Sequence, residues 1–315
     1  MYKDMSFSNL NAHTSGGGGG AATPTSASAS TAVNTVSDSY GGGGAASDNV
    51  LVIKTVQIAP VRTMMCALKE ILIETNITFQ KDGIRIINMD KSHTILAHLS
   101  LEAENFELYE CKMDKIIIGV NMFHLFKLIN TIDNDDTLTM YIEEADYMDG
   151  IVQFLGLKFE NGEIKQHKIQ KLRLIEPDNE ELDVPDVKFS SVINLPSVDF
   201  QKIIRDLSCI SDKIEIKSIA TNEGAELIFK CTGGFAHAEI RRAETDGAME
   251  FIKKQEVSKI IQGEFSLKNL SYFIKCTNLC NQIEIYLENN LPLIVKYNVA
   301  SLGVIKLALA SLPSS

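Results

Sequence analysis

Seven basic side chains stand out by their spacing. Arg62 and Lys69 are seven residues apart, Lys202 and Arg205 three, and Lys268 and Lys275 seven, while Lys127 follows the apolar Phe126. Such spacings repeat on one face of a helix, so each set would present its charge on one side. Lysine and arginine on helices can neutralise phosphates without reading bases, which implies sequence-independent, salt-sensitive contact with a polyanion. Other candidates for chemistry are sparse. Asp133, Asp135 and Asp136 could form a cation cluster, as in a metal-dependent nuclease, yet they fall between a helical and a strand pattern, where acidic turns are common. His93 follows Met89-Asp90-Lys91-Ser92 without a nucleophile motif. No Gly-rich loop runs into Lys-Ser/Thr and no histidine pair has zinc-ligand spacing. The sequence therefore predicts no catalytic residue, no metal ligand and no cofactor; the chain reads as a non-enzyme.

The seven bases sit on four helical patterns, over 60–72, 121–130, 197–208 and 267–275. Each pattern has an apolar stripe: Val61, Met64, Met65, Leu68, Ile71 and Leu72; Met122, Leu125, Phe126 and Ile129; Phe200, Ile203, Ile204 and Leu207; Leu267, Leu270, Phe273 and Ile274. The bases lie off those stripes, with only three acids beside them (Glu70, Asp199, Asp206). Between the helices, runs at 49–58, 78–80, 83–88, 94–101, 115–119, 137–142 and 151–155 are rich in Ile, Val and Thr and read as strands.

An internal repeat organises these elements. Met122, Leu125, Leu128 and Ile129 match Leu267, Leu270, Phe273 and Ile274 at an offset of 145 residues. The same offset carries 138–143 onto 283–288, and Lys69-Glu70-Ile71 resembles Arg205-Asp206-Leu207. Two similar α+β halves follow. The reading divides the chain into a disordered Gly/Ser/Ala-rich tail (1–49), a first domain (50–175), an acidic Pro-containing connector (176–187), a second domain (188–312) and a short C-terminal tail (313–315). Nine of the 20 glycines fall in the first 49 residues, too few apolar groups accompanying them to offset ordering entropy.

The chain has 315 residues, 41 acids and 30 bases, for a net charge of −11. That total argues against adhesion to nucleic acid through bulk charge, while the helices carry the opposite excess. No apolar run spans a bilayer and the N-terminus lacks a signal-peptide core, so an intracellular, non-membrane protein is expected. The six scattered cysteines read as buried reduced thiols.

Together these pieces resemble the proliferating cell nuclear antigen (PCNA) family of DNA sliding clamps. The resemblance is carried by Ala67-Leu68-Lys69-Glu70-Ile71-Leu72, Asn88-Met89-Asp90-Lys91-Ser92-His93, Gly119-Val120-Asn121, Leu182-Asp183-Val184-Pro185, Phe200 with Arg205-Asp206-Leu207-Ser208, and Leu291-Pro292-Leu293-Ile294-Val295 with Tyr297. It covers the body and leaves the tail aside. It implies an α+β DNA-clamp fold of two similar domains, each with two helices packed on antiparallel sheets. Three chains would close a homotrimeric ring of six domains around duplex DNA, helices inward. The matching channel positions are Arg62, Lys69, Lys127, Lys202, Arg205, Lys268 and Lys275; two further family positions are Asn130 and Cys209 here.

The resemblance also implies a partner pocket under the connector, at Met89, His93, Leu96, Leu182, Val184, Pro185, Pro292 and Ala310. A family tyrosine there is Ala308, a nearby proline is Ser311, and a lysine subject to ubiquitin-type modification is Asn222. Ring closure would pair edge strands at 166–174 and 236–242. The implied partners are double-stranded DNA, DNA polymerase and other proteins carrying a PCNA-interacting peptide, an ATP-dependent clamp loader, and further copies of the chain. The implied place of action is the nucleus or a viral replication site; the Ile/Asn/Lys-rich body with a Gly/Ser tail is compatible with a large DNA virus. The rival readings are a specialised clamp subunit, of heterotrimeric checkpoint or monomeric viral type, and the metal-dependent nuclease.

Overall fold

Alternating β-branched residues, broken by short polar turns, fold into twenty strands and four α-helices among the described residues of the computed structural model. It describes residues 48–178, 182, 184, 187–222, 224–245, 248–257 and 259–313. The first half runs β1 (Asn49–Thr55), α1 (Ile58–Ile71), β2 (Glu74–Gln80), β3 (Gly83–Met89), β4 (Ile95–Glu102), β5 (Leu108–Cys111) and β6 (Lys115–Asn121). It continues with α2 (Met122–Ile129), β7 (Thr137–Glu143), β8 (Tyr147–Met148), β9 (Ile151–Val152), β10 (Phe154–Asn161) and β11 (Gln166–Arg173). The second half runs β12 (Ser191–Pro196), α3 (Ser197–Ser208), β13 (Lys213–Thr221), β14 (Gly224–Thr232), β15 (His237–Ala243), β16 (Glu250–Lys253) and β17 (Ile260–Ser266). It ends with α4 (Leu267–Phe273), β18 (Gln282–Leu287), β19 (Leu293–Val299) and β20 (Gly303–Leu309).

The two halves repeat each other strand for strand. The order β11-β10-β7-β1-β5 in the first recurs as β20-β19-β18-β12-β16 in the second, and β4-β3-β2-β6 recurs as β15-β14-β13-β17. Between the halves, β20 pairs antiparallel with β4 and fuses two of these sheets into one of nine strands. Their equivalents β11 and β15 stay at sheet edges.

The helices cover one face of this framework. α1 packs on α2, and α3 on α4. Across the halves α1 meets α4 and the 3-10 turn Ile274–Leu279 that follows it. Their apolar stripes are buried as the spacing requires, from Val61, Met64 and Leu68 through Phe200 and Ile204 to Leu270 and Phe273. Beneath them the sheet presents Ile95, Leu293, Val295, Leu307 and Leu309, all fully buried. At about 1.5–3 kcal/mol per large apolar side chain, this double layer is the main source of stability.

Several boundaries differ from the sequence reading; β2 begins at Glu74 rather than at 78, and most other ends shift by one or two residues. The run at 49–58 stops as a strand at Thr55, and Ile58 already opens α1. Pro60 thus sits third in the helix, where its missing N–H would have had no acceptor within the helix. The helix expected over 267–275 ends at Phe273 and tightens into 3-10 geometry. The run at 151–155 breaks at Gln153, and β8–β9 form a small hairpin whose turn residues Asp149 and Gly150 have φ of 53° and 84°. The thiols also differ: only Cys231 and Cys276 are buried, Cys209 is exposed, and all six are free. Cys209 lies two residues past Leu207, the last core position of α3, so the helix directs it to solvent. Among the described residues, no helix is long and apolar enough to cross a membrane.

Candidate nucleic-acid interface and partner pocket

The seven bases divide into two groups. Lys127, Lys202, Arg205 and Lys268 are exposed on their helices, off the buried stripes, and Lys275 is exposed on the 3-10 turn that follows α4. Arg62 and Lys69, both on α1, are half-buried and engaged. Arg62 Nη1 donates to Asn134 Oδ1 at 3.0 Å and its Nη2 to the Ile132 carbonyl, tying α1 to the turn after α2. Lys69 Nζ pairs with Glu70 and lies 4.8 Å from the centre of the Phe126 ring, with 15% of its side chain exposed. Two of the neighbouring acids are also paired, Glu70 with Lys69 and Asp199 with Arg242 at 3.0 Å.

Counting charges misses the aromatic side chains among them. Phe123 is 48% exposed, and Lys127 Nζ sits 4.4 Å from its ring centre. An exposed cation–π contact contributes about 0.5–1 kcal/mol. The signal was available as an i,i+4 pair on α2. The second half holds Lys268 and Tyr272 at the equivalent positions, cation and aromatic exchanged. The Asp133–Asp136 segment forms the turn into β7, with Asp133 N–H donating to Asp136 Oδ2 at 3.1 Å.

On the opposite face of the nine-stranded sheet, a row of apolar residues crosses four strands. Met89 on β3 lies opposite Leu96 on β4, Leu96 opposite Ala308 on β20, and Ala308 opposite Ile294 on β19. Side chains on a strand alternate with period two, so Ala310 and Pro292 fall on the same face one step along. The Ala310 N–H donates to the Thr94 carbonyl at 2.9 Å and holds that end in register.

Beside this row lies a cavity of about 300 Å³, lined by Met89, His93 and Leu182 with Ile73, Asn76 and Asp178. The Asn76 amide clasps the backbone of Asp178, donating to its carbonyl at 2.6 Å and accepting its N–H at 3.0 Å. Ile175 bridges Gly119 at the start of the connector, and a Cβ on Gly119 would lie 2.6 Å from the Ile175 carbonyl oxygen. Glycine is therefore required there for the close approach. Of the expected pocket residues, three line the cavity and Leu96, Pro292 and Ala310 belong to the neighbouring row. Val184 is exposed on the connector, and Pro185 lies outside the described residues.

The loop bearing His93 is organised by Asp90. Its carboxylate accepts the N–H groups of Ser92 (3.2 Å), Thr94 (2.8 Å) and Ile95 (2.7 Å), and the Ser92 hydroxyl. Burial works to raise its pKa, but these hydrogen bonds outweigh it and hold the carboxyl below its ordinary value. Its contribution is complete above the ordinary carboxylate range and is lost as pH falls through the lowered value. Asp90→Ala should cost about 1–3 kcal/mol in thermal unfolding, with a reduced difference from wild type in acid. An unchanged melting temperature at neutral pH would contradict this assignment.

Comparison with known proteins identifies the family. The family model described as "Proliferating cell nuclear antigen, N-terminal domain" matches residues 50–181, and "Proliferating cell nuclear antigen, C-terminal domain" matches 183–312. One relative is the "Probable DNA polymerase sliding clamp 1" of Paramecium bursaria Chlorella virus 1, 31% identical over 269 residues, covering 85% of this chain and 99% of that protein. Another is the "Probable DNA polymerase sliding clamp" of Acanthamoeba polyphaga mimivirus, 34% identical over 221 residues, covering 70% of this chain and 45% of that protein. The "Proliferating cell nuclear antigen" of Chaetomium thermophilum is 30% identical over 257 residues, covering 81% of this chain and 95% of its own. With both halves matched in order across the folded body, the chain belongs to the proliferating cell nuclear antigen family of DNA sliding clamps.

Proposed function

We propose that three copies of this chain close into a ring around duplex DNA and tether a DNA polymerase and other replication and repair proteins to it. One observation carries the reading: the internal β20–β4 pairing has its equivalents, β11 and β15, left open on the same subunit. An unpaired edge of this kind needs a partner, and the pairing the chain already makes internally is the one available. A head-to-tail contact generates a ring when its rotation closes.

The internal register can be carried outward. Lys306, Lys296 and Glu284 pair in sequence across β20, β19 and β18, as do Ile169, Lys158 and Thr139 across β11, β10 and β7. Likewise Ser100, Arg85, Thr78 and Ile117 match Arg241, Ile228, Lys217 and Gln262. Lys306 lies opposite His98, so Ile169 would lie opposite Glu239 of the next copy, with Lys168 opposite Ile240 and Gln170 opposite Ala238. Exposure supports this register. Ile169 and Glu239 both point outward from their sheets, whereas Lys168, Gln170, Ala238 and Ile240 are half-buried. Gln170 Oε1 is buried and without a partner among the described residues, as an edge awaiting its neighbour would leave it.

In this assembly the chain contributes two clamp domains, 50–175 and 188–312, joined by a connector at 176–187, with 1–49 and 313–315 as tails. The helices line the channel, where the seven bases set a positive field: Lys127, Lys202, Arg205, Lys268 and Lys275 face phosphates, Arg62 and Lys69 stand behind them on their protein partners, and topology retains the ring. Each contact can then be weak enough for sliding. The partner pocket comprises Met89, His93, Leu96, Leu182, Val184, Pro185, Pro292 and Ala310. Partners insert a short peptide with apolar or aromatic anchors, and an ATP-dependent loader opens the ring. The clamp performs no reaction, and it works in the nucleus or at a viral replication site. Residues 1–49 hold Lys3 and three aspartates, so −9 of the net −11 belongs to the body. Acid outside and base inside would keep DNA off the wrong face.

Light scattering tests the assembly. A species of three times the 34.8 kDa chain mass is expected, and a stable single chain at micromolar concentration would overturn it. Leu182→Ala with Val184→Ala should weaken binding of a partner peptide about tenfold or more, read by calorimetry, with the assembly intact. Unchanged affinity would mean the pocket lies elsewhere.

A further inference from the structure

Residues 1–47 divide sharply by composition. All of their methionine, phenylalanine and leucine lies in the first ten, Met1-Tyr2-Lys3-Asp4-Met5-Ser6-Phe7-Ser8-Asn9-Leu10. Residues 11–47 contain nine glycines amid Ser, Thr and Ala and no Ile, Leu, Met or Phe; their larger apolar or aromatic residues are Val33, Val36 and Tyr40, against five such residues in the first ten. Tyr2 and Met5, and Phe7 and Leu10, are each three apart, the spacing that places a pair on one side of a helical turn. This is an apolar head on a polar tether, a pattern that a plain linker does not require.

The tether enters the body beside the connector. The Asp48 carbonyl accepts the Glu144 N–H at 2.7 Å, just before the β8–β9 hairpin, which has no counterpart among the described residues of the second half. Directly after the hairpin, Gln153 N–H donates to the Asp146 carbonyl, and its own carbonyl accepts the Leu174 N–H, both at 3.0 Å. Ile175 follows, bridged to Gly119, and then Asp178 at the cavity. Met148 and Ile151 on the hairpin are 59% and 57% exposed, so apolar surface lies along this route. Three carboxylates (Glu74, Asp90, Asp178) and one lysine (Lys91) surround the cavity, while the head carries one base, Lys3, and one acid, Asp4, so its docking rests on its apolar side chains.

Reach is not limiting. A Gly/Ser-rich chain of this length has a root-mean-square span of roughly 35 Å, beyond the radius of about 14 Å of one such domain. A ligand so tethered has an effective concentration on the order of millimolar.

We propose that residues 1–10 dock into the connector pocket of their own subunit, with Phe7 and Leu10 as anchors, and compete there with partner peptides. The inference rests on the partner-pocket reading above. A head with an intrinsic affinity of about 100 μM, held at millimolar effective concentration, lowers the apparent affinity of a partner about tenfold.

The test uses the full chain and a fluorescein-labelled peptide carrying a glutamine and two aromatic anchors as probe. Binding is read by anisotropy to the wild type and to a Met5→Ser, Phe7→Ser, Leu10→Ser variant. About tenfold tighter probe binding to the variant is expected, with the unlabelled 1–10 peptide competing for the probe on that variant. Equal affinity for the two proteins, or weaker binding to the variant, overturns the inference while leaving the pocket in place. A probe that binds neither protein removes the pocket reading and this inference with it.

Discussion

Ile169→Glu should convert the assembled protein into single chains, seen in light scattering as a fall from three times 34.8 kDa to 34.8 kDa. Ile169 is 62% exposed in the isolated subunit, so the substitution costs the fold of one chain little. In the ring it loses the apolar burial that β15 of the next copy would supply, about 1 kcal/mol or more. It also places a carboxylate opposite Glu239, and like charges directly opposite across a ladder are destabilising. The penalty recurs at each of three junctions. Adding Glu239→Lys turns the repulsion into an opposite-charge pair and should restore assembly at micromolar concentration. Rescue by that residue, and by neither Glu226→Lys nor Glu244→Lys, would establish the register. An Ile169→Glu protein that remains assembled, with an unchanged melting profile, would remove β11 as a ring edge.

The elements that fix this register were legible because they repeat. Apolar positions in α2 and β7 recur 145 residues later in α4 and β18, and an offset shared by a helix and a strand constrains topology more than either pattern alone. Helix faces were legible too, since period 3.6 separates Leu68 from Lys69 whatever surrounds them. What a face meets is a different matter. Lys69 and Lys127 have the same sequence signature, yet Lys69 reaches across to Phe126 of a second helix while pairing with its neighbour Glu70, and Lys127 lies over Phe123 of its own helix. Arg62 is engaged by the Ile132 carbonyl and Asn134, residues seventy or more positions away. Periodicity carries no information about such partners. The β8–β9 hairpin was hidden for a simpler reason: two-residue strands are too short to alternate, leaving Asp149-Gly150 as the sole turn signal. The motif residues did not show that Met89, His93 and Leu182 would line a cavity while Leu96, Pro292 and Ala310 fall on a neighbouring row, a division that depends on how β20 lies against β4.

The same distinction sets unequal effects in the proposed channel. Lys202→Glu with Lys268→Glu should weaken binding to a short duplex and abolish most stimulation of a polymerase on a primed circular template. Both side chains are exposed on helices whose folding does not use them. Each phosphate contact contributes about 0.9 to the slope of log affinity against log salt. A ring touching duplex through both residues in one or two of its subunits should therefore lose about 2–4 from that slope. Lys69→Glu should behave differently. Its side chain is 15% exposed, so reversal sets a carboxylate beside Glu70 and against the face of Phe126. The main result should be a lower melting temperature, with less change in the salt slope than Lys202→Glu alone produces. Equal losses of slope at the two positions would mean that Lys69 leaves Glu70 and Phe126 when DNA enters. The ammonium would then give up a cation–π contact of about 0.5–1 kcal/mol for a phosphate. A salt slope unchanged by Lys202→Glu and Lys268→Glu together would show that the helices do not face the duplex. The ring would then have to be drawn with its helices elsewhere.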